Sequence, residues 1–257
     1  MFERYSRKMT ARSSALLLAL DNRLDRILQS WLLIAGLAAA ARIALSSHEV
    51  PANASSAALS YLLLVIAPAA STLLALRWFR GGDWQPQPTM RLAQFGRWRN
   101  VERAEAVRHP VYGTSGIMVS LLVGMMLNVP VRALEYLVAM PPLPLAAPEW
   151  LSALHFAMTF DVVLFSCLYM VAFVAALRRV PLFPRLLLAI WVADLAMQLF
   201  TACLVSNAGG VPPGVVTALH SMLEGNVKKV LISMALWLPY LLLSTRVNIT
   251  YRHRLPA

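Results

Sequence analysis

Charge and cysteine are both scarce in this chain. Of its 257 residues, 14% are Asp, Glu, Lys or Arg, and two are Cys. An average soluble domain carries about 25% charged residues, so an ordinary water-facing surface is excluded. Cys167 and Cys203 stand apart inside apolar runs, with no CxxC pair and no Cys/His cluster. A disulfide scaffold, a redox motif and a zinc site are therefore not expected, and no metal or cofactor is expected either. Acidic residues are rarer than basic ones, 12 against 23, for a net charge of +11. In a soluble protein that excess points to nucleic acid. Here 59% of residues are hydrophobic, the mean hydropathy is +0.62, and the basic residues flank apolar runs. Membrane topology explains them more simply, and no nucleic-acid partner is expected.

A bilayer core needs about 20 apolar residues per helix. Six stretches qualify, over residues 27–45, 58–79, 113–140, 150–177, 186–205 and 227–243. The expected fold is all-α, a polytopic bundle of six transmembrane helices. The first span resembles a signal peptide only in its small-residue run at 38–41. Its long leading stretch carries Asp21 and Asp25, so it is expected to be retained. Six Lys or Arg precede span one, seven lie between spans two and three, three between spans four and five, and three after span six. Lys228 and Lys229 are expected at the start of span six. This alternation predicts both termini in the cytoplasm. The implied organisation is a basic segment (1–26), a two-helix extension (27–79), a basic cytoplasmic loop (80–112) and a four-helix membrane domain (113–251). Within the loop, Gly81-Gly82-Asp83 reads as a turn. From Thr89 the stretch reads equally as a helix, carrying Met90, Phe95 and Trp98 among arginines, that binds anionic lipid or partner membrane proteins, and as a solvated connector whose arginines only set topology. Trp31, Trp78, Trp150 and Tyr240 read as interfacial anchors.

Charges inside the spans carry the strongest functional signal. An unpaired charge at mid-bilayer costs about 2.5–3.5 kcal/mol or more. Span three holds Arg132 and Glu135, span four Asp161, and span five Asp194. Arg132 and Glu135 are three residues apart, so they share a face and can pair locally. The aspartates need partners from other helices, with Arg132, Arg42, Lys228 and Lys229 as candidates. One polar cluster joining spans three to six is expected, built from Asn128, Arg132, Glu135, Asp161, Asp194 and Lys229, with His155 and Glu224 at its outer rim. In span three, Gly116, Ser120, Gly124 and Asn128 recur every four residues, a spacing that lets helix backbones approach closely. Pro130 then removes one backbone donor and is expected to bend the helix beside the charges.

No enzyme signature is present. HExxH, GxSxG and the P-loop are all absent. Two intramembrane aspartates could share a proton as a protease dyad does, but no surrounding residue supports that chemistry, and no catalytic residue is expected. Near the C-terminal end the chain reads Trp237-Leu238-Pro239-Tyr240, then Ser244, Arg246-Val247 and Thr250-Tyr251. With Pro184 before span five and Asp194 inside it, residues 113–251 resemble a bacterial family of small four-span inner-membrane proteins, a domain of unknown function. The resemblance implies a four-helix membrane fold and no particular activity. Two functions are expected to compete. The first is handling of a small polar solute, ion or proton by the charged cluster. The second is a non-catalytic scaffold or accessory subunit, in which the buried charges merely lock the helices.

Overall fold

The computed structural model describes residues 2–46, 54–89, 92, 96–144 and 146–257. The chain is an all-α bundle. Its helices are α1 (Phe2–Asn22), α2 (Leu24–Ser46), α3 (Ala54–Trp78), α4 (Arg103–Arg108), α5 (Met118–Ala139), α6 (Glu149–Leu177), α7 (Phe183–Asn207), α8 (Pro213–Leu243) and α9 (Thr245–Arg252). Two three-residue strands, β1 (Trp98–Asn100) and β2 (Arg254–Pro256), pair antiparallel. Helices α2, α3, α5, α6, α7 and α8 are each long and apolar enough to cross a membrane. Leu33, Ile34, Leu134, Val138, Leu199, Ile232 and Leu236 are all broadly exposed on them. In water so much exposed apolar surface would drive aggregation; against hydrocarbon it is the expected outer face.

Helix α6 is the axis of the bundle and packs against α3, α5 and α7. Its sequence is apolar on every side, the pattern of a helix surrounded by others. Ala157, Phe165, Ala172, Phe173, Ala175 and Ala176 are wholly buried, and the alanines let neighbouring backbones come close. Helix α2 leans on α3, where the Trp31 indole N–H donates to the Val65 carbonyl at 2.9 Å. Trp31 thereby ties α2 to α3. Helix α8 is the most exposed span and rests mainly on α7.

Two span starts differ from expectation. Span three begins at Met118, because Gly113 (φ +106°) and Gly116 (φ +75°) hold the preceding chain in a non-helical path. Span six begins at Pro213, not 227, and runs for 31 residues. Pro212 and Pro213 form its N-terminal boundary, where a missing N–H costs nothing. Polar residues between His220 and Lys229 lower the hydropathy there and hide this first half. Lys228 and Lys229 consequently sit in mid-helix. The small-residue ridge also differs: Gly116 lies before α5, and a Cβ on Gly124 would meet nothing within 4 Å. No helix of this chain fills that ridge among the described residues.

One end of the bundle carries a folded basic cap. Trp98 opens strand β1 and so belongs to no amphipathic helix; Met90 and Phe95 lie outside the described residues. Register pairs Trp98 with Pro256 and Asn100 with Arg254. Arg103 bonds Asp83 at 2.9 Å and stacks 3.5 Å over the Trp84 ring. The turn at Gly81 (φ +67°) brings Gly82 so close to Arg178 and Val180 that a Cβ would lie 2.6 Å from the valine. The residues of the Trp-x-Pro-Tyr tail pin α9 to this cap. Thr250 accepts the Gly113 N–H at 2.9 Å, Arg246 donates to Ser115 at 2.7 Å, and Tyr251 donates to the Ala176 carbonyl at 2.9 Å.

Candidate functional site

Four spans turn helically spaced polar residues toward one another. Asn128, Arg132 and Glu135 lie along one stripe of α5; Asp161, Phe165 and Tyr169 step by four along α6; Asp194 and Gln198 step by four along α7. Residues at that spacing share a helix face. The hydrogen bonds show α5 and α6 running antiparallel, since Arg132 meets Asp161 while Tyr136 meets Thr159. Helices α6 and α7 are also antiparallel, since Tyr169 meets Asp194 while Asp161 meets Gln198.

Arg132 is the hub. Its Nε donates to Asn128 Oδ1 at 3.0 Å, its Nη1 to Asp161 Oδ2 at 2.9 Å, and its Nη2 to Asp194 Oδ2. Its guanidinium also lies 5.1 Å from the centre of the Phe165 ring, a cation–π contact. Glu135 is not its partner. Instead Glu135 pairs with Lys229 of α8 on the half-exposed edge of the site. The local pairing expected from spacing loses because Arg132 gains two carboxylates by pointing inward, and each charge-assisted bond there is stronger than an exposed pair.

The two aspartates are not equivalent. Asp194 is fully buried. It accepts from Arg132, from the Tyr169 hydroxyl at 3.2 Å and from Gln198 Nε2 at 3.3 Å. Asp161 accepts from Arg132 and, on its other oxygen, from Gln198 at 3.3 Å, and it faces a cavity of ≈ 530 Å³ between α5, α6 and α8. Arg132, Asn128, Tyr169 and, from α8, Asn226 and Lys229 also line that cavity. Asn226 donates to Gln198 Oε1 at 3.3 Å, which brings the fourth span into the network. One guanidinium thus faces two carboxylates, and the inner network carries one surplus negative charge when both are ionised. A proton, a cation or a second cationic group has to balance it.

The structure arranges the six expected residues in two parts beside one cavity. Asn128, Arg132, Asp161 and Asp194 form the inner network, and the Glu135–Lys229 bridge closes its edge. Tyr169, Gln198 and Asn226 were missed, although Gln198 lies one turn beyond Asp194 and the spacing rule finds it. Of the two rim residues, His155 is buried against Tyr136, with ring centres 6.4 Å apart, and Glu224 pairs with Lys228 on the exposed face of α8 at 2.6 Å. Arg42 does not join the cluster and lies beside Tyr61. Among the described residues no group of His, Cys, Asp and Glu is placed to hold a metal ion. Comparisons with protein-family models, with curated proteins and with solved structures give no match.

Proposed function

We propose that this multi-pass membrane protein handles a small polar solute, an ion or a proton through the Arg132–Asp161–Asp194 network. The observation that carries the reading is the meeting of three spans' charges at the wall of a ≈ 530 Å³ cavity. A network serving only as a lock gains nothing from an open space beside it, because packing fills space unless something else occupies it. Intramembrane carboxylates paired with arginine are the groups that relays and transport pathways use. The surplus negative charge favours a cationic cargo. On the positive-inside rule the basic cap supports a reading with both termini in the cytoplasm, and the bilayer is a bacterial inner membrane in this reading. The likeness of residues 113–251 to the four-span family belongs to the same proposal.

The test is flux in proteoliposomes, with proton and monovalent-cation movement followed by encapsulated dyes. Wild type is expected to dissipate an imposed gradient, and Asp161→Asn, which leaves Asp194 on Arg132, is expected to abolish that flux at normal folding yield. Equal leakage from wild-type, Asp161→Asn and empty vesicles would overturn the reading. A second reading, a scaffold or accessory subunit, draws on the unfilled ridge at Gly124 and the exposed length of α8. Under it, Gly124→Leu releases a co-purifying membrane partner while leaving the fold intact.

A further inference from the structure

Several arginines of the basic cap have side-chain partners. Arg103 holds Asp83, Arg99 holds Glu105, Arg178 meets Asp21 at 3.3 Å, and Arg246 bonds Ser115. Arg252 differs. It is 4% exposed, among the most buried charged residues of the chain. Its Nη1 donates to the Leu241 carbonyl at 2.8 Å and to Asn248 Oδ1 at 3.0 Å, so one edge of the guanidinium caps the end of α8. Among the described residues its Nη2 is buried with no partner. Arg185, in the first turn of α7, also has a buried Nη2 with no partner. Among the described residues neither arginine has a carboxylate.

The charges oppose one another. The Phe183 and Tyr251 rings, with centres 5.0 Å apart, bring the end of α9 to the first turn of α7 and so Arg252 toward Arg185; burial first, then the nearby Arg254 and Arg185, push the Arg252 guanidinium down to about 10. The first turn of α7 adds positive potential of its own through the helix dipole. A buried guanidinium without a counter-ion is strongly unfavourable, and a buried N–H without an acceptor calls for an explanation. The missing component is an oxyanion. We propose that Arg185 and Arg252 form a phosphate-binding site at the basic end of the bundle, each presenting its unpartnered Nη2 to one phosphate group. Guanidinium forks match tetrahedral oxyanions, with two donors per edge. Arg252 is held rigidly by α8 and α9. Arg185 is only half-buried, and its flexible stem swings to admit the ligand. The site lies where the bundle meets the headgroup layer, so an acidic lipid supplies the phosphate directly, and free inorganic phosphate offers the same chemistry. The site is separate from the Arg132 network and does not depend on what that network does.

The test uses the full chain, purified in a non-ionic detergent. Its thermal midpoint is followed against short-chain phosphatidylglycerol, inorganic phosphate, and short-chain diacylglycerol, which lacks the phosphate. Phosphatidylglycerol is expected to raise the midpoint of the wild type. In Arg185→Gln the concentration needed rises at least tenfold, and Arg252→Lys shows a similar loss. If Arg252→Lys does not fold, Arg185→Gln decides alone, since Arg185 makes no bond that the fold needs. Stabilisation by inorganic phosphate that also depends on Arg185 supports the site with a free-phosphate source. Stabilisation by the lipid alone supports it with a headgroup source. Equal responses of wild type and Arg185→Gln, no response to either phosphate probe, or diacylglycerol matching phosphatidylglycerol would overturn the proposal.

Discussion

Asp194 and Asp161 show how burial separates two identical side chains. Asp194 has no exposed surface and holds one edge of Arg132, so replacing it leaves a guanidinium short of a counter-ion inside the bundle. Asp194→Asn is expected to destabilise the fold by about 3–5 kcal/mol, read as a large drop in thermal midpoint in detergent. Asp161→Asn is expected to cost less, because its cavity-facing oxygens reach other partners, while removing flux. A midpoint loss in Asp161→Asn as large as that of Asp194→Asn would contradict this division of roles. Tyr169→Phe deletes one hydrogen bond to Asp194 and is expected to cost about 1–3 kcal/mol, since the carboxylate oxygen stays buried. At this scale the sequence was legible for residue types and depth: charges in apolar spans have to meet. The partner of each charge was not legible. Arg132 had a nearer candidate in Glu135, and only the direction of its side chain into the bundle decided for the aspartates.

Among the helices, α5 and α8 flank the cavity, and the Glu135–Lys229 pair is the ion pair joining them among the described residues. Both side chains are about half exposed, so the pair is expected to contribute little to stability, about 0–1 kcal/mol. Its effect is on geometry. A double variant, Glu135→Cys with Lys229→Cys, is expected to be joined by a short bifunctional thiol-reactive cross-linker, since a Lys–Glu pair holds its backbones farther apart than the Cα spacing of about 4.4–6.8 Å that a disulfide needs, and so to confirm that α8 stands opposite α5. Failure to cross-link in membranes would place α8 elsewhere. The cap makes a second expectation. Strand β2 holds β1, and Leu255 packs with Ile249 and Ala106. Deleting residues 253–257 is expected to free β1, and trypsin should then cut at Arg97 and Arg99 several-fold faster than in wild type. The basic loop was readable as charge but not as shape. A three-residue strand whose partner lies over 150 residues away leaves no local periodicity, and the prolines that open α8 precede a polar half that a hydropathy window passes over.

For the molecule as a whole, the basic cap joins segments from α1, the 79–117 region, the α6–α7 turn and the tail at one end of the bundle, the arrangement expected if all six candidate spans cross the bilayer. Single cysteines in a Cys167→Ser, Cys203→Ser background test this. Thr89→Cys and Asn207→Cys are expected to label from opposite sides of sealed vesicles, with Thr89→Cys on the same side as a tag after Ala257. Labelling of both from one side would break the six-span arrangement. The central place of α6 follows from composition: it is the most apolar span and carries alanines where neighbours approach. The marginal place of α8 follows likewise from its polar middle, which needs water, a cavity or a partner beside it and does not favour full enclosure.

Composition, apolar run lengths and the alternation of basic residues were enough to determine an all-helical bundle with six membrane-length spans and a set of charges that must be satisfied within it. Those properties depend only on transfer free energies along the chain, which act residue by residue. Tertiary structure alone decided which carboxylates Arg132 takes, that Asp161 faces open space while Asp194 is sealed, that Lys229 crosses to Glu135, and that Arg185 and Arg252 have no counter-ion among the described residues. These are facts of distance between helices far apart in sequence, and the rotation of each helix about its axis, set by packing against α6 and α7, determines them.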